Sequence, residues 1–231
     1  CERILEDYKR LEYEMHLLHN EYTGGLKLGA STTIAQYVLP PLLASFIGKF
    51  PQVNLSLLNG NSREIEAALQ EHRIDLGFVE GVFRLPNIKY TTFLEDELVA
   101  VVRTGSRLTV GEEITPEELL HLPLVLRERG SGTLDVFERA LQQHNIKLSS
   151  LQVLMYLGST ESIKLFLEHT DCLGIVSIRS ITRELYSGQL RVVEIKGMPM
   201  LRDFSFAQPQ GQESGLAQVF MQFAMHNNNK L

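Results

Sequence analysis

Short loops rich in hydroxyl, amide and glycine residues recur along this chain, each between a strand-like apolar run and a helix-like one. They are Ser31-Thr32-Thr33, Gly60-Asn61-Ser62, Gly130-Ser131-Gly132-Thr133 and Gly158-Ser159-Thr160. Free backbone N–H groups and the positive end of a helix at such a loop favour an anion or a carboxylate. Glycines let the third loop curl and expose its amides. The pattern predicts a site for a small anionic guest.

The candidate binding residues come from these loops and their neighbours. Each has a plainer interpretation, because serine, threonine and asparagine at such positions also serve as helix N-caps. Arg127 and Arg129 flank the third loop, where they either add positive charge or remain solvated. Glu80 ends a strand, where such a residue often accepts a hydrogen bond from a ligand or a loop amide. The predicted binding residues are Ser31, Thr32, Thr33, Glu80, Arg129, Gly130, Ser131, Gly132, Thr133 and Ser159.

Patterns typical of enzymes are missing from the sequence. We find no His/Glu metal spacing, no Gly-x-Ser-x-Gly elbow and no lysine-containing phosphate loop. Cys1 and Cys172 are too far apart in sequence for a metal or redox motif. Glu80 is the best candidate acid or base, although such a residue more often accepts hydrogen bonds from a ligand or loop. We therefore expect no catalysis, no metal and no cofactor.

Charge and hydropathy exclude two further classes. The 231 residues carry a formal net charge of −6 and no Lys/Arg cluster, so these residues are not expected to grip nucleic acid themselves. No apolar run approaches the roughly 18–20 residues of a membrane span. The charged start of the chain shows no signal peptide, which predicts a cytoplasmic location.

The chain begins with apolar residues in a heptad pattern, directly before the predicted lobes. The seam has charged flanks and starts mid-pattern without an N-cap, so we expect a longer helix whose beginning is cut away. It either packs on its own domain or, as its narrowness favours, pairs two subunits. Thr23-Gly24-Gly25 ends it. The seam residues are Ile4, Tyr8, Leu11, Met15, Leu18 and Tyr22.

The body of the chain repeats one order of elements. Gly60-Asn61-Ser62 precedes a helical face and the run Leu76-Gly77-Phe78-Val79, while Gly158-Ser159-Thr160 precedes another helix and Leu173-Gly174-Ile175-Val176. Alternating strands and helices imply parallel sheets, so the sequence predicts two similar α/β lobes. Ligands bind such sheets at the carboxyl ends of strands, where all four polar loops lie.

Connections between the lobes are expected in two places. Two strand-like runs, 88–94 and 97–102, are candidate connections from the first lobe to the second. The tail, Phe204-Ser205-Phe206-Ala207 and a helix from Gly215 to Met225, returns to the first lobe. Pro40-Pro41 should kink or split the long helix that follows the first loop. The predicted lobes are residues 26–100 with 207–231 for lobe I, and 101–206 for lobe II.

Familiar motifs lie in the segments 26–33, 37–43, 50–51, 75–81, 127–133 and 158–164. Together these segments resemble LysR-type transcriptional regulators, and within them the branch that includes regulators of sulfur assimilation and of the sulfite response. The resemblance covers essentially the whole chain, and the order and spacing of the motifs make it specific.

The resemblance implies a periplasmic-binding-protein-like α/β fold, with two Rossmann-like lobes joined by two crossover strands. Residues 1–22 would be the end of a linker helix that pairs subunits into homodimers or homotetramers. DNA would be bound only by a winged helix-turn-helix preceding residue 1. The effector would lie between the lobes against Ser31–Thr33 and Gly130–Thr133, with Ser159 as a further contact, although Ile34 replaces a polar residue of some relatives. The alternative is a solute-binding protein of a transport system.

Overall fold

The computed structural model describes residues 22–82, 84–108, 111–211 and 215–227. The predicted heptad helix of residues 1–22 therefore lies, apart from Tyr22, outside the described residues. Within the described ranges, no helix is both long enough and apolar enough to cross a membrane.

The first sheet is built from the apolar runs of the first third of the chain. Its parallel strands lie in the order β2-β1-β3, and helices follow each of the first two. Because Pro40 and Pro41 can only begin a helix, the long predicted helix is split at Val38, as expected. The elements are β1 (Gly24–Ser31), α1 (Thr32–Tyr37), α2 (Leu39–Lys49), β2 (Val53–Gly60), α3 (Ser62–Gln70) and β3 (Leu76–Glu80).

The second sheet repeats this arrangement, with parallel strands in the order β8-β6-β7. Gly60-Asn61 and Gly158-Ser159 stand before equivalent helices, so the repeat predicted from sequence is confirmed. The elements are β6 (Pro123–Arg127), α4 (Gly132–Gln143), β7 (Gln152–Leu157), α5 (Thr160–His169), β8 (Leu173–Ser177) and α6 (Thr182–Tyr186).

Two long strands connect the sheets, β4 (Ile88–Arg103) and β10 (Leu201–Pro209), which pair antiparallel. The prediction of two strands within residues 88–102 was wrong, since β4 runs through the whole segment. Asp96, a residue typical of turns, stays inside the strand because Arg202 of β10 neutralises it. The second connection is β10. The predicted lobe boundaries, after residues 100 and 206, fall within these strands and stay predictions.

The remaining elements complete the two lobes. β9 pairs antiparallel with the end of β4 and parallel with β5. α7 packs into the aromatic core of the first sheet, where the rings of Phe46 and Phe220 lie 4.8 Å apart. The elements are β5 (Glu113–Ile114), β9 (Leu190–Ile195), α7 (Gly215–Asn227) and short 3-10 turns at Glu118–His121, Leu148–Ser150 and Ile178–Ser180.

Each sheet has its own hydrophobic cores. We call the first sheet with α1–α3, β10 and α7 lobe I, and the second with α4–α6, β5 and β9 lobe II. Phe46 and Phe206 belong to a core of lobe I, and Phe137 and Leu126 to one of lobe II. Because the cores are separate, polar side chains are left to form the contacts between the lobes.

Candidate functional site

The four polar loops lie at the carboxyl ends of parallel strands, and those of lobe I meet those of lobe II. The Arg63 amide donates to the Gly130 carbonyl at 3.3 Å, and Nη2 of Arg127 donates to Oγ1 of Thr32 at 3.4 Å. The structure thus brings the segments 31–33 and 130–133 face to face. That they bind a ligand stays a prediction.

Arg127 ends β6 and is buried, with 1% of its surface exposed. Its guanidinium donates to Glu128 through Nε at 2.8 Å and Nη2 at 3.0 Å. Longer contacts reach Thr160 Oγ1 at 3.5 Å and the Gly158 carbonyl at 3.3 Å. Of the two arginines considered beside this loop, Arg127 therefore turns inward between the lobes, whereas Arg129 is exposed.

Glu80 ends β3, and its buried carboxylate bridges the lobes. Oε1 accepts hydrogen bonds from Thr33 at 3.3 Å and from Thr133 at 3.5 Å. Oε2 lies 3.2 Å from Nη2 of Arg202, an electrostatic contact rather than an aligned hydrogen bond. Thr133 lies in the first turn of α4, whose positive end favours the carboxylate. The acceptor interpretation of Glu80 therefore suits its surroundings better than an acid–base one.

An ion cluster on the two connecting strands was not predicted from the sequence. Nε of Arg202 donates to Oδ2 of Asp96 at 2.7 Å, and Nη1 donates to Thr133 at 3.0 Å. Ser177 donates to the other Asp96 oxygen at 2.7 Å. Arg202 is buried and stands at alternate positions of β10 with Phe204 and Phe206. The sequence did contain a signal for this cluster: the charged Arg202 stands two residues before Phe204, at a position of the strand where an apolar residue is expected.

The serines of the loops have different roles. Ser131 and Ser159 accept from the amides of Leu134 and Ser162, so both are helix N-caps, the plainer interpretation. Asn61 caps α3 through a capping box with Glu64. Ser31 differs, because its buried hydroxyl has no hydrogen-bond partner within the described residues. Among these loop residues Ser31 has the free polar atom that a ligand needs.

Two glycines allow the lobes to approach closely. Gly130 has φ +92°, a left-handed conformation that L side chains rarely adopt. A Cβ on Gly132 would lie 2.3 Å from the Glu80 carbonyl oxygen, so only glycine fits between α4 and β3. Both therefore shape the contact between lobes.

A second inter-lobe contact joins α1 to α5. The Tyr37 hydroxyl donates to Glu161, and Nζ of Lys164 lies 5.3 Å from the Tyr37 ring centre. Lys164 also bonds Glu161 at 2.7 Å and Glu184 at 2.8 Å. Burial, followed by the bond to Glu161, raises the pKa of Tyr37 far above its usual value. Burial opposes ionisation of Glu161, but hydrogen bonds from Lys164 and Tyr37 outweigh it and lower its pKa.

The described residues were compared with the needs of a metal site and of a reactive thiol. Among the described residues, no group of three or more His, Cys, Asp or Glu side chains is arranged to hold a metal ion. Cys172 is buried, and this burial, followed by the charge of Asp171, raises the pKa of its thiol to about 11. A thiol with that pKa is a poor nucleophile near neutral pH.

Comparison with known families decides the identity of the fold. The profile of the LysR substrate binding domain matches residues 19–228. The chain belongs to the LysR substrate-binding domain family. The resemblance predicted from sequence and the two-lobed α/β fold are thereby confirmed, while the sulfur-related branch stays a prediction.

Two relatives of this LysR domain are transcription regulators by name. It is 35% identical over 182 residues to the uncharacterized HTH-type transcriptional regulator YeiE of Escherichia coli K12, covering 79% of this chain and 61% of YeiE. It is 26% identical over 199 residues to the HTH-type transcriptional regulator CysL of Bacillus subtilis 168, covering 86% and 66%. The chain thus spans somewhat under two thirds of the length of either relative.

A solved structure shares the fold of this LysR domain. The regulatory domain of CcmR from Synechocystis PCC6803, in complex with 2-PG, matches with a TM-score of 0.79 and 27% sequence identity. The match covers 88% of this chain and 97% of the other. These relatives do not favour the alternative of a transport protein, and they are regulators by name rather than enzymes.

Proposed function

We propose that this LysR domain is the effector sensor of a transcription regulator, and that its effector is a small oxyanion held between the lobes. One observation carries the proposal: the buried guanidinium of Arg127, from lobe II, lies against the hydroxyl of Thr32 from lobe I. A buried cation next to hydroxyls and helix N-termini is an environment that suits an anion. The 2-PG complex of CcmR adds a related domain that takes a small ligand.

The effector site comprises hydroxyls and amides from both lobes. Ser31 contributes its unpartnered hydroxyl, Thr32 and Thr33 the first turn of α1, and Gly130–Thr133 the start of α4. Glu80 and Ser159 support it, the first by linking the threonines of both lobes and the second by capping α5. Arg129, which is exposed, adds charge at the rim. No metal or cofactor is part of the proposal.

The sensing mechanism follows from the separate cores. An effector shifts lobe closure only as far as it binds one arrangement more tightly than another. Arg127 and Thr32 belong to different lobes, so separation of the lobes would break their contact. An anion contacting both therefore stabilises closure and alters the surfaces offered to neighbouring subunits.

The whole regulator is proposed to contain more than this chain. A winged helix-turn-helix preceding residue 1 would bind DNA, since the chain has a net charge of −6 and no Lys/Arg cluster. The linker helix of residues 1–22 would pair subunits into homodimers or homotetramers in the cytoplasm. Effector-dependent closure would then reach DNA through these subunit contacts.

Titration calorimetry with sulfate, phosphate and acetate at constant ionic strength tests the proposal. We expect at least one of them to bind. Ser31→Ala should weaken it about tenfold, since a hydrogen bond to a charged group contributes about 1.5–3 kcal/mol. Thr133→Ala should also weaken it, because it removes the hydroxyl that joins Glu80 to Arg202 at the start of α4. Ser149→Ala, an exposed position in lobe II, is the control and should leave affinity unchanged. Binding that neither cleft variant weakens means that the site is misplaced, and no binding of any anion refutes the oxyanion hypothesis.

Rival functions make different predictions in the same experiments. A transport carrier would bind ligand as a monomer, whereas a regulator with the proposed linker helix would self-associate. An enzyme would convert the bound anion, which mass spectrometry after incubation would reveal. Since the site lacks a metal cluster among the described residues and Glu80 is held by Thr33, Thr133 and Arg202, we expect recovery of unchanged ligand.

A further inference from the structure

The pairing of Arg127 with its own neighbour Glu128 deepens the proposed function, on which this inference rests. The two Glu128 oxygens receive Nε at 2.8 Å and Nη2 at 3.0 Å, so the carboxylate fills one edge of the guanidinium with two parallel hydrogen bonds. This is the bidentate geometry by which arginine binds carboxylates and phosphates from ligands. Glu128 therefore occupies the contact that an oxyanion effector needs.

Charge balance opposes the simultaneous binding of two anions, the Glu128 carboxylate and the effector, to Arg127. Arg202 is already compensated by Asp96 and Glu80, and Lys164 by Glu161 and Glu184. Among the described ion pairs, Glu128 is the carboxylate that compensates Arg127. An effector added beside it would place two negative charges on one buried guanidinium, which is unfavourable at low dielectric. Exchange of one anion for another of equal charge leaves the charge balance around Arg127 unchanged.

Glu128 is also the partner of Arg127 that can leave. Its side chain is 26% exposed, whereas Thr32 and Thr160 are buried. Its backbone is fixed, with the amide donating to Leu157 at 3.2 Å and the carbonyl accepting from Ser131 at 3.2 Å. A rotation of the side chain alone moves the carboxylate into water, where it is fully solvated. The hydroxyl contacts of Arg127, at 3.4–3.5 Å, are long and leave room to tighten around another anion.

We propose that Glu128 is an internal competitor for the effector, displaced from Arg127 when an oxyanion binds. The effector must then present two oxygens to one guanidinium edge, which a carboxylate or a tetrahedral oxyanion does and a halide does not. The competitor lowers affinity and so sets the concentration at which the regulator responds. It also rejects neutral ligands, which cannot replace the lost ion pair.

Glu128→Gln tests the competitor. The variant keeps the size and one acceptor oxygen of the side chain but removes its charge, so the guanidinium becomes available. We expect sulfate, phosphate or acetate to bind roughly twofold to fivefold more tightly, the fold-change of a partly exposed ion pair. Chloride affinity should not rise in parallel. Glu117→Gln is the matched control, because it removes the same charge from an exposed residue that precedes β6 rather than following it.

The outcomes separate this inference from the proposed function. Tighter binding in Glu128→Gln with unchanged binding in Glu117→Gln supports the competitor. Equal or weaker binding in Glu128→Gln, when the unaltered chain binds the same anion, overturns the inference and leaves the proposed function standing. A similar gain in both variants also overturns it, since net charge would then be the cause. No oxyanion bound by either chain refutes the proposed function itself. Circular dichroism confirms that each variant is folded.

Discussion

At the scale of single residues, this domain concentrates charge where the lobes meet. Arg127, Arg202, Glu80 and Asp96 are all buried, and each is held by partners from another element. Burying an ion costs several kcal/mol unless a partner and hydrogen bonds compensate it. The cluster therefore makes closure specific to one arrangement of the lobes rather than strongly favourable in itself.

Arg202→Met is predicted to lower the free energy of unfolding by about 3–5 kcal/mol, because Glu80 would remain buried without its cation and Asp96 would keep only the more distant Arg179, at 3.7 Å. Arg103→Met is the control, since the Arg103–Asp171 pair is exposed, with side chains 37% and 36% accessible. Its loss should cost at most about 1 kcal/mol. Urea unfolding measures both, and equal losses in the two variants would contradict a special role for Arg202.

Sequence reasoning found part of this cluster. Glu80 and Thr133 were predicted because each stands at the end of a strand or the start of a helix, a local pattern. Arg202 was missed because its partners, Asp96 and Thr133, lie 106 and 69 residues away in sequence. For Arg127 the local pattern favoured a solvated loop charge, because its burial depends on Thr32 of the other lobe.

At the scale of elements, helix starts provide the polar surface of the cleft. α1, α3, α4 and α5 each begin where a parallel strand ends, so their N–H groups point toward the same gap. Asn61, Ser131 and Ser159 cap three of them and fix the direction of the chain there. Loop sequences predicted these helix starts because capping is local chemistry.

Asn61→Ala is predicted to destabilise the domain by about 1 kcal/mol, because α3 loses the acceptor for the Glu64 amide, now at 3.0 Å. Asn61→Asp restores an acceptor of equal capping strength and should unfold near the urea concentration of the unaltered chain. A comparable loss in both variants would show that Asn61 stabilises by something other than its cap.

Continuity of β4 illustrates what element patterns leave open. Residues 95–97, Glu95-Asp96-Glu97, look like a turn between two strands, yet all three lie in one strand paired with β10. The partner strand is more than a hundred residues away, and its Arg202 supplies the charge that Asp96 needs. The number of connections was predictable from the family resemblance, but their residues depended on this distant pairing.

At the scale of the whole molecule, two independently packed lobes meet through polar contacts. Hydrophobic cores around Phe46 in lobe I and Phe137 in lobe II do not merge, and contacts such as Arg127–Thr32 and Tyr37–Glu161 join the lobes instead. Polar interfaces of this kind allow domains to move relative to one another. We therefore expect lobe closure to be a separate equilibrium from folding.

Gly132→Ala is predicted to weaken closure without unfolding either lobe. Its new methyl group would lie 2.3 Å from the Glu80 carbonyl oxygen across the interface, and overpacking of this kind costs about 1–3 kcal/mol. The Arg63 amide, which donates to Gly130 of the other lobe, should therefore exchange with solvent deuterium about tenfold faster or more. The Asp75 amide, whose hydrogen bond to the Lys27 carbonyl at 2.7 Å lies within lobe I, should keep its exchange rate.

Gly158→Ala, where a methyl group meets nothing within 4 Å, is the control. Faster exchange at both amides would mean that the lobes unfold rather than separate, and an unchanged Arg63 rate would mean that Gly132 does not govern closure.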